Sequence, residues 1–210
     1  RYEETLTGFK WIANRAMDLE KAEGLSFVFG YEEALGYTVG TLVRDKDGVS
    51  AALLFAELTA TYASEGKSVL DVLDAIYREY GLFLSSQVNV TKKGTEGARE
   101  IQELMDRLRK NPPKEIGGMK VTHVSDYKSK VVIDSEGKSA PLSLPASNVL
   151  AYALAGGSRI IARPSGTEPK IKFYFDVREA VAPGEPMHLA EARAQATRDS
   201  LEKAFVAIAG

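Results

Sequence analysis

The chain has 210 residues, 44% hydrophobic and 27% charged, and its 27 Lys and Arg against 29 Asp and Glu leave a formal charge of −2. That balance suits a globular protein with a sizeable core and gives no general attraction for nucleic acid or an anionic membrane, so neither is an expected partner. No cysteine is present, which excludes disulfides and thiolate metal sites and is compatible with a reducing cytoplasm, the expected location; no signal peptide and no bilayer-length apolar run is found.

In chain order, Phe9, Ile12, Ala13, Ala16 and Met17 recur at helical spacing and predict a helix over residues 9–23, with Thr7 placed as its N-cap. Residues 26–30 (Ser-Phe-Val-Phe-Gly) are short and apolar enough for a buried strand. Glu32 and Glu33 follow just beyond its end, where ligands gather in α/β folds. A carboxylate accepts from two neighbouring hydroxyls, so Glu32 is chemically suited to a sugar ring, while a solvated acidic loop has the same composition. Lys46 lies in a charged turn, Arg44 to Gly48, and either reaches a ligand or sits solvated at the tip. An alanine- and leucine-rich helix over 49–64 reads as nearly buried, and Ser68-Val69-Leu70-Asp71 reads as a capping-box variant opening a helix that Gly81 ends. Helix, strand, helix and helix supply too few strands for a complete α/β layer. Residues 1–81 are therefore expected to be the C-terminal part of a larger α/β domain.

The pattern changes at Leu82. A strand over 82–91 precedes an amphipathic helix over 95–110 that Asn111-Pro112-Pro113 stops. Hairpins are predicted over 120–134 and 148–163, then a strand in which Ile171, Phe173, Phe175 and Val177 alternate with polar residues. A closing helix over 186–208 places Leu189, Ala192, Ala196, Leu201, Ala204, Phe205 and Ile208 inward, giving an α+β domain over 82–210. His123 and His188 have no partner spacing and read as structural rather than metal-binding or catalytic.

Between the last two strands lies Arg163-Pro164-Ser165-Gly166-Thr167-Glu168-Pro169-Lys170-Ile171-Lys172. Two hydroxyls, several cations and a glycine bend make a plausible anion cradle: Gly166 allows close backbone approach or positive φ, Ser165 and Thr167 add donors, and Arg163 and Lys172 supply charge. Taken alone, the same residues also make an ordinary surface turn.

The run Arg163 to Thr167, followed by Lys172 and Tyr174, resembles the phosphate-binding loop of the α-D-phosphohexomutases, the phosphoglucomutase and phosphomannomutase superfamily. Thr7-Gly8-Phe9-Lys10, Tyr31 to Gly36 and Arg44 to Gly48 resemble three further motifs of that superfamily in its order. The resemblance implies a TATA-binding-protein-like topology for the second domain. It also implies sugar-phosphate contacts at Thr7, Glu32, Lys46, Arg163, Ser165, Gly166, Thr167 and Lys172, with Lys46 the catalytic candidate. Ala34 departs from the serine many members carry, which leaves open a hexose or a pentose substrate. The implied activity is phosphoryl transfer between C1 and C6, or C1 and C5, through a phosphoserine and a bisphosphate intermediate. The superfamily's serine loop and its Asp-Gly-Asp-x-Asp-Arg magnesium loop do not occur in these 210 residues. Mg2+ and a sugar bisphosphate activator are therefore expected only in a longer polypeptide, whose preceding domains are the expected partners, and the chain alone is expected to be inactive. A standalone phosphosugar-binding module is the alternative.

Overall fold

The computed structural model describes all residues except Glu33, Ala34, Lys93, Thr167 and Gly210, and the side chain of Thr95. Two compact units emerge, Arg1–Leu73 and Asp74–Gly210.

The first unit opens with α1 (Phe9–Glu23), as the periodicity predicts. Its N-cap is not Thr7. Gly8 takes that place with φ 128°, a conformation that excludes most side chains, and no side chain caps the helix. The predicted buried strand is instead β1 (Phe29–Glu32), paired antiparallel with an unpredicted β2 (Gly36–Val39) so that Glu32 faces Gly36 directly. One face of this hairpin lies against α1: a Cβ on Gly30 would stand 2.8 Å from Ile12 Cγ2, and one on Gly36 only 2.6 Å from Phe9 Cε2. By alternation the other face carries Phe29, Tyr31 and Tyr37, whose rings stack at 5.9 and 6.2 Å.

Asp47 caps α2 (Gly48–Ser64), its carboxylate accepting from the N–H groups of Val49 and Ser50 at 3.1 and 3.4 Å. Contrary to its composition, α2 buries none of its residues; Val49 is 82% exposed, Leu53 70% and Phe55 59%. Within the unit, Phe9 is the one buried hydrophobic side chain among the described residues. The capping box at α3 (Val69–Tyr80) forms as read, with Ser68 N–H donating to Asp71 Oδ2 at 2.7 Å and Asp71 N–H to Ser68 Oγ at 3.2 Å. At its end the N–H of Gly81, φ 98°, donates to the carbonyl of Tyr77 at 2.9 Å.

The second unit is built on an antiparallel sheet. Its strands are β3 (Leu82–Thr91), β4 (Glu115–Ile116), β5 (Met119–Asp126), β6 (Val131–Asp134), β7 (Ser139–Pro141), β8 (Leu150–Leu154), β9 (Arg159–Pro164) and β10 (Lys170–Glu179). They run in the order β3-β10-β9-β8-β5-β6-β7, with β4 paired to β5. The long strand β10, one in from the β3 edge, pairs with β3 over its whole length and with β9 from Ile171 to Asp176. One sheet face is apolar, and α4 (Gly94–Lys110) and α5 (Met187–Ala209) pack on it. Ile171, Phe173, Phe175 and Val177 are fully buried there beside Ile101, Met105 and Leu108 of α4. Phe205 meets Tyr152, Phe173 and Phe175 edge-on at 5.5, 5.2 and 6.2 Å. The buried face of α5 is Ala190, Ala194, Leu201 and Phe205, and the predicted inward positions Leu189, Ala192, Ala196 and Ile208 are exposed. The helix is alanine-rich on several sides, and only the large residues fix its rotation.

Candidate functional site

Three of the four motifs converge in the first unit. The positive φ of Gly8 turns its N–H onto Glu32, whose Oε1 accepts it. Oε2 of Glu32 has no hydrogen bond among the described residues, so one carboxylate oxygen is anchored and one is left for a ligand hydroxyl. Gly36, opposite Glu32, leaves room for the Phe9 ring and for Lys46, whose Cδ would be 3.0 Å from a Cβ placed there. The Lys46 ammonium then lies 4.9 Å from the centre of the Phe9 ring. Its loop is pinned by Asp47 N–H donating to the carbonyl of Tyr37 at 2.7 Å. Asp45 accepts the Lys46 N–H at 2.7 Å, and this bond, reinforced by the lysine's charge, holds its carboxyl below the ordinary aspartate value. Thr7 and Lys46 are exposed and Glu32 is half-buried. Together they offer hydroxyl, carboxylate and ammonium groups with one short helix–hairpin packing behind them. A recess of about 390 Å3 elsewhere in the unit is lined by Leu54, Glu57, Leu58, Thr61 and Tyr62, all on α2 and apart from these groups.

The fourth motif lies in the second unit, on the sheet face opposite the helices. Its loop is closed at the neck by Ser165 N–H donating to the carbonyl of Lys170 at 2.8 Å, and braced by Lys92 N–H donating to the carbonyl of Pro169 at 2.9 Å. Gly97 holds the start of α4 tight against this end of β3, since a Cβ there would come within 2.5 Å of Lys92 Cβ. Inside the loop, Ser165 Oγ accepts the N–H of Glu168 at 3.3 Å. The Glu168 carboxyl is held below its ordinary value by a hydrogen bond from the Lys170 ammonium and by that group's charge, with a smaller part from Lys172. Gly166 does not adopt positive φ. Its Cα instead faces open space, with nothing within 4 Å of a Cβ placed there, so of the two uses expected of this glycine positive φ is not the one adopted. Thr167 lies outside the described residues, as does the departure at Ala34.

The decisive arrangement is on the strands beneath the loop. Arg163 of β9 and Lys172 of β10 are direct cross-strand partners, and neither forms a hydrogen bond or ion pair with a described residue. Like charges directly opposite destabilise a sheet. The same two strands show the ordinary solution four rungs away, where Arg159 faces Asp176 and binds it at 2.7 Å. The cation pair is therefore a local cost that an anion with two or three negative oxygens would offset.

Among the described residues, no group of three or more His, Asp or Glu side chains could hold a metal ion, and His123 and His188 are exposed. Asn148 accepts from Arg109, which also binds Asp126 at 3.1 Å and so ties α4 to the lead-in of β8.

Family models agree with this division: the alpha/beta/alpha domain III model of phosphoglucomutase/phosphomannomutase matches residues 1–80, and the C-terminal domain model residues 87–184. The chain belongs to the phosphoglucomutase/phosphomannomutase family. It is 44% identical over 177 residues to a probable phosphomannomutase of Haemophilus influenzae, covering 84% of this chain and 31% of the relative. It is 40% identical over 175 residues to a phosphoglucomutase of Staphylococcus haemolyticus, covering 83% and 31%. The chain thus spans about a third of the length of these curated relatives. Its fold matches the crystal structure of pp63/parafusin, a phosphoglucomutase from Paramecium in an open form, with TM-score 0.57 over 93% of this chain and 33% of that one, at 19% identity. Among the described residues no helix is long and apolar enough to cross a membrane.

Proposed function

We propose that the chain is the substrate-holding C-terminal part of a phosphosugar mutase, with residues 1–81 gripping the sugar and residues 82–210 the phosphate that is not being transferred. The like-charged Arg163–Lys172 couple, with no hydrogen bond or ion pair to a described residue, beside a hydroxyl-bearing loop is the observation that carries this reading. Arg163, Lys172, Ser165, Thr167 and the open backbone at Gly166 clamp the distal phosphate. Binding energy gained there orients the reacting end of the sugar. Glu32 accepts from ring hydroxyls through its open oxygen, with Thr7 beside it. Lys46 lies where an ammonium offsets charge on a transferring phosphoryl group.

In this reading the longer polypeptide supplies a phosphoserine that gives its phosphoryl group to a sugar hydroxyl, and the bisphosphate then returns its other phosphoryl group to the serine. The Mg2+ requirement, the bisphosphate activator and the cytoplasmic setting belong to that longer enzyme, and the isolated chain binds without turning over. A standalone phosphosugar-binding module is the second reading, favoured by the closed core of the second unit.

Titration calorimetry of the chain with glucose 1,6-bisphosphate tests the shared claim. Arg163→Ala is expected to weaken binding about tenfold or more, the loss of one charge-assisted clamp. In the longer polypeptide the same substitution is expected to raise KM and lower kcat together, since the clamp serves ground and transition states alike. Binding and kinetics both unchanged by Arg163→Ala would refute the proposal.

A further inference from the structure

We infer that Asn89 of β3 is a third donor to the phosphate held by Arg163 and Lys172, an inference that rests on the phosphate-clamp reading. Asn89 is the direct cross-strand partner of Lys172 on the side opposite Arg163, so the three residues form one row, Asn89–Lys172–Arg163, across β3, β10 and β9. Residues at one rung of an antiparallel sheet share a face, and adjacent Cβ atoms stand about 5 Å apart. This is the face turned away from α4 and α5, because Ile171 and Phe173, which flank Lys172 in sequence, are fully buried on the other.

The amide is also held in a useful orientation. Gln87, two residues earlier on the same face, donates through Nε2 to Asn89 Oδ1 at 2.8 Å. That bond occupies the acceptor end and leaves the Nδ2 donor end with no acceptor among the described residues. A primary amide oriented in this way offers N–H groups and no negative charge to an anion. Asp or Glu at the same place would repel it. The row therefore runs from a neutral donor through an ammonium to a guanidinium, a graded wall for a tetrahedral anion seated on the loop side of Lys172.

The test follows the Asn89 side-chain NH2 resonances of the 15N-labelled chain during titration with inorganic phosphate and then with glucose 1,6-bisphosphate, alongside Arg163→Ala, Asn89→Ala and Asn89→Asp. Saturable shifts of those resonances are expected in the wild-type chain. Asn89→Ala is expected to weaken binding about fivefold, and Asn89→Asp about fiftyfold, because a carboxylate replaces a donor next to the anion. The direct resonance readout stands even if a variant misfolds. If Arg163→Ala abolishes binding while the Asn89 resonances stay still and both Asn89 variants bind like wild type, Asn89 is not a ligand and the clamp reading survives. If Arg163→Ala binds like wild type, the clamp reading and the role of Asn89 are both overturned.

Discussion

The two units handle similar apolar content in opposite ways. In the second, Phe173, Phe175, Val177, Leu201 and Phe205 lose all exposure between one sheet face and two helices, while in the first the apolar side chains of α2 stay open and Phe9 alone is buried among the described hydrophobic residues. A closed core needs two layers facing each other, and in the first unit a two-stranded hairpin is the sheet that α1 and α2 have to pack on. The phosphate-side residues therefore stand on a self-sufficient scaffold, whereas the sugar-side residues stand on part of one. This matches the proposal that residues 1–81 complete an α/β domain begun elsewhere in a longer polypeptide.

Hydrogen exchange is expected to show the contrast at its largest. Backbone amides of β10 should exchange at least about a hundredfold more slowly than those of α2, whose apolar side chains contribute little burial. Equal protection of the two would mean that α2 is covered, by self-association for instance, and would break the comparison. Paired truncations sharpen it in energy. Phe205→Ala, which removes a ring packed against three others, is expected to cost about 3–5 kcal/mol in urea unfolding, and Phe55→Ala on α2 less than about 0.5 kcal/mol. Comparable costs would show that α2 has a hidden partner. On a smaller scale, Ser68→Ala should cost about 1 kcal/mol through the lost cap of α3, while Thr7→Ala should leave α1 unchanged because Gly8 occupies the cap position.

The second unit should also carry a pH signature. Glu185 is held down to about 2, first by its hydrogen bond from Arg193 and then by the N–H of Ala182, against an ordinary value of 4.5. A carboxyl lowered on folding contributes stability that is fully present above about 4.5 and is lost as pH falls toward 2. An NMR titration should find Glu185 still ionised at pH 3 and returned to the ordinary range in Arg193→Ala; an ordinary midpoint in the wild type would contradict the contact.

What the sequence made legible follows the same division. The helix α4 and strand β10 were readable because each buries one clean face, so period and burial agree. The helix α2 misled because its apolar composition is not matched by burial: none of its residues is buried. The strand β2 was missed because Gly36–Val39 is only four residues and opens on a glycine, and β7 because Ser139–Pro141 is a wholly exposed edge with no alternation. At the site, the residue types of the loop were visible, but two features needed register: Arg163 opposite Lys172, and Asn89 completing the row. Which of the two options open to Gly166 is used also needed the structure: the loop neck is closed between Ser165 and Lys170 and the glycine takes no positive φ.

Melting of the wild-type chain and of Lys172→Glu, with and without phosphate, tests the cation pair most directly. Without phosphate, Lys172→Glu should unfold no earlier than wild type, because it turns a like-charged rung into an ion pair worth about 0.2–1 kcal/mol. Added phosphate should then raise the transition of the wild type alone. A variant that melts well below wild type in phosphate-free buffer, or a wild type indifferent to phosphate, would contradict the claim that Arg163 and Lys172 are kept opposed in order to hold an anion.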